Sequence, residues 1–143
     1  MADADKQAVV AVLDRILEHE LAGVVRYTHF SFMVFGHSRI PIISWLSKQA
    51  EESLLHAREA GEMITLLGAQ PSLRIGALLD AHEQDIDALL RTSLDSERAA
   101  VALYRELLDL VRDRSVVLEE YARRMIAGEE LHVGEVEKML RRS

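Results

Sequence analysis

Apolar residues recur at intervals of three and four along most of this 143-residue chain, which is the spacing of amphipathic α-helices. Strands would require alternation of β-branched and polar residues, and such alternation is nearly absent. Only two prolines, Pro41 and Pro71, interrupt the long stretches of helix-forming residues. The pattern therefore predicts an all-α protein.

The periodic stretches predict four long helices, at about residues 5–35, 41–67, 77–112 and 116–141. Helices of 25 to 35 residues are roughly 40 to 50 Å long at ~1.5 Å per residue, which fits a four-helix bundle. Short turns follow the first and third helices, and the longest connection, G-A-Q-P-S-L-R-I-G, follows the second. We expect one domain over 1–143, made of two antiparallel hairpins joined by a longer crossover.

Acidic residues interrupt the apolar stripes of these helices. Glu20 lies between Leu17 and Val24 on one stripe, and Glu97 lies between Leu94 and Val101 on another. The other two helices carry both an acid and a histidine on their predicted inward stripes, which read Trp45, Gln49, Glu52, His56, Met63, Leu66 and Leu118, Ala122, Met125, Glu129, His132, Val136, Met139. Since buried acids are costly unless they are paired or coordinate a cation, the arrangement indicates a metal site.

The distribution of these acids matches that of dinuclear carboxylate bundles. In those bundles two helices each supply one glutamate, and the other two each supply a Glu-x-x-His pair on one helix face. Glu20 and Glu97 are the two single acids, and Glu129 with His132 forms one complete pair. Three of the four expected contributions are therefore present.

The second helix departs from that pattern, because Ser53 stands three residues before His56. Glu52 stands four residues before it, which still shares a helix face, and a single π-type turn would absorb the extra residue. We predict Glu52 as the ligand from this helix. A site with five protein ligands, or one completed by Glu59, is the alternative.

Composition limits the other possibilities. Acidic residues outnumber basic ones 24 to 17, so the net charge of −7 disfavours a nucleic-acid partner. The absence of cysteine excludes thiolate sites and leaves oxygen and imidazole ligands, which suit iron, manganese or zinc. No export signal and no apolar run of ~20 residues is visible, so a cytoplasmic protein without a membrane span is expected.

Several other side chains have a predicted place. Tyr27 and Tyr104 follow Glu20 and Glu97 by seven residues and should lie near the site, either as packing groups or as redox participants. The other histidines are expected to take no part in the site: His19, His37 and His82 are predicted at the surface, and His29 is predicted to be partly buried without a role. Four methionines are predicted to fill the core: Met33, Met63, Met125 and Met139.

Over nearly its whole length the chain resembles the bacterioferritin branch of the ferritin-like family. The resemblance lies in E-L-A-G-V-V-R-Y at 20–27, E-E-S-L-L-H-A at 51–57, G-A-Q-P-S-L at 68–73, E-E-L-H at 129–132, and the spacing from Glu20 to His56. It implies a four-helix fold and a dinuclear centre that oxidises Fe(II) with dioxygen or peroxide. It also implies a ligand set, with Tyr27 as a neighbour of the site: Glu20, His56, Glu97, Glu129 and His132.

The chain differs from the bacterioferritin pattern at three points. Ser53 aligns with the glutamate of the second helix, and Leu54 aligns with the methionine that holds haem, so we expect no haem. The sequence continues no further than the fourth helix, whereas cage-forming members have a short fifth helix. We therefore expect a homodimer, with a larger cage as the alternative.

These observations favour a non-haem diiron ferroxidase for iron detoxification or storage. In this hypothesis Glu52 and Glu129 bridge two iron ions, Glu20 and Glu97 are terminal ligands, and each ion binds one histidine. A peroxide-reducing protein resembling rubrerythrin is the second candidate, although a separate electron donor would be required. The third candidate is a bundle that binds metal without enzymatic activity.

Overall fold

A computed structural model describes residues 1–78 and 85–141 of the chain. Within these ranges the chain forms four α-helices and no strand: α1 (Asp3–Met33), α2 (Arg39–Leu66), α3 (Ile86–Val111) and α4 (Val116–Leu140). The predicted all-α four-helix bundle is thus confirmed. None of these helices is long and apolar enough to cross a membrane.

Contacts between the helices show their relative directions. Early residues of α1 pair with late residues of α3, as in the ion pair of Arg15 with Glu106 at 2.5 Å, so these two helices are antiparallel. On α2 and α4, Glu59 pairs with Arg124 at 3.3 Å. His56 approaches Glu129 at 3.2 Å, and this order is again antiparallel. The short connections 34–38 and 112–115 join α1 to α2 and α3 to α4, and each joined pair packs together as one of the expected antiparallel hairpins. Consequently α2 and α3, on either side of the crossover, run in the same direction.

The bundle interior has an apolar cluster on either side of a polar layer. One cluster contains residues of all four helices, including Leu13, Ile64, Leu107 and Leu118. At the other end, further apolar residues pack around Phe30, Leu46, Leu89 and Val136. Between these clusters each helix contributes polar side chains to one level, at Glu20, Ser53, His56, Glu97 and Glu129. Such a layer is protected from bulk water by apolar packing at both ends.

The first part of the crossover lies along α1. The Ser72 backbone amide donates to Asp14 Oδ1 at 2.9 Å, and the Gly76 amide donates to the Glu18 carbonyl at 2.8 Å. A Cβ atom at residue 76 would lie 3.1 Å from that carbonyl oxygen, so glycine permits the close approach.

The prediction that the third helix begins near residue 77 is wrong. Residues 77 and 78 are not helical, and α3 begins at Ile86 with Asp85 at its N-cap position. The Ala77 carbonyl accepts a hydrogen bond from the buried Arg26 of α1 at 3.3 Å. The crossover backbone thus bonds to a neighbouring helix at this point and does not continue a helical turn.

The buried face of α2 also differs from the prediction. Its buried residues are Leu46, Ser53, Ala57, Ala60 and Ile64, a line of mostly small side chains that packs against the rest of the bundle. By contrast, Leu66 is 63% exposed. The predicted inward face was chosen from the larger apolar residues of α2, whereas the buried face consists mostly of small residues, which allow the helices to pack closely. Met139 of α4, also predicted to lie in the core, is 39% exposed.

Two leucines on α2 provide a test of this packing. Leu46 is 1% exposed within its apolar cluster, whereas Leu55 on the same helix is 50% exposed. We expect Leu46→Ala to lower the free energy of unfolding by about 2–5 kcal/mol, because it removes buried contacts and leaves a cavity. Leu55→Ala is the matched control and should cost less than about 1 kcal/mol. Urea unfolding followed by circular dichroism measures both, and equal losses would contradict the described orientation of α2.

Candidate metal centre

Three carboxylates from three different helices are buried in the polar layer. Glu20 on α1 is 4% exposed, Glu97 on α3 is 8% exposed and Glu129 on α4 is 4% exposed. Each lies at a core position because its helix presents apolar neighbours one turn before and after it. Isolated carboxylates at such depth would be strongly destabilising, so their partners determine what the site can do.

His56 of α2 is the central partner of two of these acids. Its Nδ1 atom lies 2.7 Å from Glu20 Oε2 and 3.2 Å from Glu129 Oε1. Ligand atoms of these three residues all lie within 4.8 Å of one another, so a single ion between them could contact all three. The structure therefore brings together three of the predicted ligands from α1, α2 and α4.

Glu97 lies beside Glu129 on the other side of the layer and receives a hydrogen bond from Tyr27. The Tyr27 hydroxyl donates to Glu97 Oε1 at 2.5 Å. Predicted proximity of Tyr27 to the site is thus observed, and the contact is made to the acid on α3 and not to Glu20. Its ring also packs edge-on against Trp45, with centroids 6.3 Å apart.

His132 completes this second group. Its ring stacks on Trp45 with centroids 6.0 Å apart and an angle of 11° between planes. Its Nε2 atom is buried and has no hydrogen-bond partner in the part of the chain that the structure describes, and the same holds for Glu129 Oε2. Buried polar atoms without partners are rare, and a cation is one group that could satisfy both.

The electrostatics of the layer show how strongly these acids favour neutralisation. Burial raises the pKa of Glu20 to about 7, against the opposing effect of the hydrogen-bonded His56. Burial, together with the neighbouring Glu129, raises the pKa of Glu97 to about 8. For His56, burial lowers the pKa, but contacts with Glu129 and Glu20 outweigh it and raise the value to about 10. Without a cation, the layer therefore retains protons near neutral pH.

Glu52, the predicted ligand from α2, lies outside this group. Its side chain is 62% exposed, and its Oε2 atom is 3.6 Å from His56 Nε2, whereas the buried acids contact Nδ1. The exposed Glu52 and the buried acids thus lie at opposite edges of the His56 ring. Ser53 occupies the buried position on α2, and Glu59 is paired with Arg124.

Sequence reasoning missed a polar cluster between α1 and α3. His19, predicted to be a surface residue, is partly buried, and its Nε2 atom is 2.9 Å from the Ser96 carbonyl. The neighbouring Arg26 is 3% exposed and donates to Ser96 Oγ at 2.7 Å. Burial lowers the pKa of His19. A signal was available, since Arg26 lies three residues after Gly23 and directly before Tyr27, on the inward side of α1.

Two further histidines, His29 and His37, do not join the site. His37 is exposed, as predicted, and His29 is exposed where a partly buried position was expected. His82 lies outside the described residues. Tyr104 is fully buried and packs edge-on against Tyr121 with ring centroids 6.2 Å apart. Burial, together with the charge of Glu20, raises the pKa of Tyr104, so this residue also lies near the layer.

A cavity of about 210 Å³ reaches the polar layer from between α2 and α4. Its lining includes two of the three buried acids, both histidines of the layer and several neighbouring residues: Gln49, Glu52, Ser53, His56, Glu97, Arg124, Met125, Gly128, Glu129 and His132. The oxygen and imidazole atoms that face one another here form a donor set suited to iron, manganese or zinc. The unpartnered Glu129 Oε2 and His132 Nε2 atoms fit such an ion.

Comparison with known proteins identifies the family of this chain. The model of the ferritin-like domain family matches residues 10–143. The chain belongs to the ferritin-like family. The resemblance identified from the sequence is therefore confirmed at the family level.

Solved structures of other ferritin-like proteins share the fold at low sequence identity. A ferritin-like diiron-carboxylate protein from Bacillus anthracis is 22% identical with a TM-score of 0.91, and the match covers 99% of this chain and 100% of that one. The bacterioferritin of Desulfovibrio desulfuricans is 21% identical with a TM-score of 0.82, over 96% and 80% of the two chains. A dodecameric thioferritin from Bacteroides fragilis is 21% identical with a TM-score of 0.82, over 94% and 85%. No curated protein sequence matches the chain significantly.

The raised pKa values predict how the stability of the metal-free protein depends on pH. Because the folded-state pKa values of Glu20 and Glu97 exceed the ordinary 4.5, the stability they contribute is lost as pH rises through about 7 to 8. His56, raised from 6.5 to about 10, acts in the same direction above neutral pH. We expect the Tm of chelator-treated protein to be lower at about pH 8.5 than at about pH 5.5.

The same measurement distinguishes these groups from general charge effects. Added Zn(II) should raise the Tm more at the higher pH, since protons compete with the metal at the lower one. Glu97→Gln removes one of the titrating groups and should flatten the pH dependence of the metal-free protein. An increase of the metal-free Tm between the two pH values would contradict the described burial of the acids.

Proposed function

We propose that this ferritin-like protein is a non-haem ferroxidase that binds two Fe(II) ions in the polar layer and oxidises them with dioxygen or peroxide, for iron detoxification or storage. One observation carries the proposal: carboxylate and imidazole groups from all four helices meet in one layer, and those of α2, α3 and α4 face one cavity. Some of their buried atoms have no partner among the described residues. The description of the Bacillus anthracis relative as a diiron-carboxylate protein supports a dinuclear site.

The proposed ligands divide into two groups around Glu129. Glu20 and His56 would hold one ion with the first oxygen of Glu129, because their ligand atoms already lie together. Glu97 and His132 would hold the other, with the unpartnered second oxygen of Glu129. Glu129 would therefore be shared between the two positions. Oxygen ligands favour Fe(III) over Fe(II) through charge, which promotes the loss of one electron from each ion to the oxidant.

We assign Glu52 a supporting role at this site. Imidazole ligands commonly donate their other ring N–H to a carboxylate, which fixes the ring orientation and raises the basicity of the ligating nitrogen. Glu52 Oε2 lies 3.6 Å from His56 Nε2, on the outer edge of the ring, whereas Nδ1 faces the buried acids. Glu52 would thus orient His56 and leave the ligand set with five side chains.

Tyr27 would hold Glu97 in position and stabilise its charge. A hydrogen bond from a hydroxyl to a carboxylate favours the ionised form, which is the form that binds a cation. The buried Tyr27 hydroxyl has this contact at 2.5 Å, and its ring is fixed by Trp45. Tyr27 is therefore a positioning residue in this proposal.

Two adjacent glutamates on α4 provide the direct test. We expect Glu129→Ala to lower the rate of aerobic Fe(II) oxidation at least tenfold, because it removes the residue shared by both metal positions. Glu130→Ala is the matched control, since Glu130 is exposed and pairs with Arg105 on the surface. Stopped-flow absorbance of Fe(III) formation gives the rates. Retained activity in Glu129→Ala, with its helices intact by circular dichroism, would rule out this site.

The oxidant and the fate of iron follow from the same preparation. Faster Fe(II) oxidation by dioxygen than by peroxide, with Fe(III) retained in the protein after gel filtration, would support storage. Rapid peroxide consumption with an added reductant and no retained iron would support the rubrerythrin-like alternative. Fewer than about one Fe(II) bound per chain under anaerobic conditions would refute both functions.

Replacement of the two buried tyrosines separates positioning from packing. Tyr27→Phe should weaken the binding of the second Fe(II) by about tenfold, because a hydrogen bond to a charged group is lost. Tyr104→Phe should leave it unchanged, since the Tyr104 hydroxyl has no hydrogen-bond partner among the described residues. Anaerobic Fe(II) titration by calorimetry measures both affinities, and an equal effect of the two changes would contradict the role of Tyr27.

A further inference from the structure

The described part of α2 brings one imidazole and no carboxylate into the buried layer. Ser53 takes the inward position, where it is 6% exposed and its Oγ atom lies 2.9 Å from where a Cβ on Gly23 would be. Glu52, one residue earlier, is 62% exposed on the outer edge of His56. The helices therefore contribute unequal charge to the proposed site: α1, α3 and α4 each bring one buried carboxylate, and α2 brings none.

The missing carboxylate on α2 leaves a dinuclear site with more positive than negative charge. Two divalent cations carry four positive charges, and the buried Glu20, Glu97 and Glu129 supply three negative ones. In dinuclear carboxylate bundles four glutamates balance the two ions. A net charge left in a buried site is costly unless another group compensates it. One further anion would therefore stabilise the loaded site.

The cavity beside the layer has the size and lining for such an anion. Its volume is about 210 Å³, far above the roughly 10–15 Å³ that one water molecule requires. Ser53 of α2 lines it together with Glu97 and Glu129 of the proposed metal site, and the half-buried Gln49 lies one helical turn before Ser53. These side chains offer hydroxyl and amide donors to an oxyanion.

Arg124 supplies a positive charge in the same cavity. Its guanidinium lies over the ring of Tyr121 at 5.9 Å, donates to Glu59 at 3.3 Å and approaches Met125 Sδ at 3.6 Å, so three contacts hold it beside the cavity. A guanidinium has five N–H donors in a fork that matches a carboxylate, and these contacts use only some of them.

We propose that a small monocarboxylate from solution, of the formate or acetate class, binds in this cavity as an additional ligand to the metal ions, between Ser53 and Arg124. The inference depends on the proposed dinuclear site, because the anion compensates the charge of the two ions. It predicts that the loaded protein has a selective site for small carboxylates that the metal-free protein lacks.

The test uses Co(II) as the metal and acetate as the anion. Anaerobic titration with Co(II), followed by its visible absorption, first shows whether two ions bind per chain. Acetate is then added at constant ionic strength, with perchlorate as the control anion. We expect a saturable change in the Co(II) spectrum with acetate and none with perchlorate, and no heat of acetate binding to the metal-free protein.

Two arginines on α4 give matched variants. Arg124→Gln should weaken acetate binding by about tenfold at unchanged Co(II) stoichiometry, since a charge-assisted contact is lost. Arg123→Gln should have no effect, because Arg123 pairs with Glu119 and does not line the cavity. Ser53→Glu should abolish the acetate response by supplying the fourth carboxylate from the protein.

The outcomes separate the two proposals. Failure to bind Co(II) would refute the metal site itself. Binding of two Co(II) ions with no spectral response to acetate in the unmodified protein would overturn this inference and leave the ferroxidase proposal standing. A response that appears only after Glu52→Gln would also overturn it, because Glu52 would then be the compensating ligand.

Discussion

The burial of three carboxylates at one level of the bundle is the constraint on which the rest of the structure depends. Glu20, Glu97 and Glu129 are all less than one-tenth exposed, and removing such groups from water costs several kcal/mol for each ion. The fold offsets this cost in part with the imidazole of His56 and the hydroxyl of Tyr27. Bound protons or cations must supply the remainder, and the unpartnered atoms in the layer indicate where cations would bind.

The position of α2 decides which atoms take part in that compensation. Small residues along its inner face, Ser53, Ala57 and Ala60, allow the helix to pack closely, and Gly23 of α1 lies opposite Ser53. In this packing, Nδ1 of His56 lies beside the buried acids, and Nε2 lies beside the exposed Glu52.

Much of this arrangement could be predicted from the sequence, because helical periodicity places residues on a face without reference to neighbours. That argument located Glu20, Glu97 and Glu129 in the core correctly. It failed for Glu52, since four-residue spacing shares a broad face and only packing against α1 decides which edge is buried. It also placed the start of α3 too early. The crossover bonds to α1 through backbone atoms of residues such as Gly76, and backbone hydrogen bonds leave little trace in side-chain patterns.

The surroundings of the layer also differ from one side to the other. On the side of α1 and α3, Arg26, Ser96 and His19 form a hydrogen-bonded cluster, and none of these residues lines the cavity. The cavity instead lies between α2 and α4, where Ser53 is shorter than a glutamate and Gly128 has no side chain. Ligand atoms that face a cavity can exchange their partners with solvent, whereas those packed against a neighbouring helix cannot. Ser53 therefore has two effects at its inward position: it adds no charge to the layer, and it leaves open space on the side of α2 and α4.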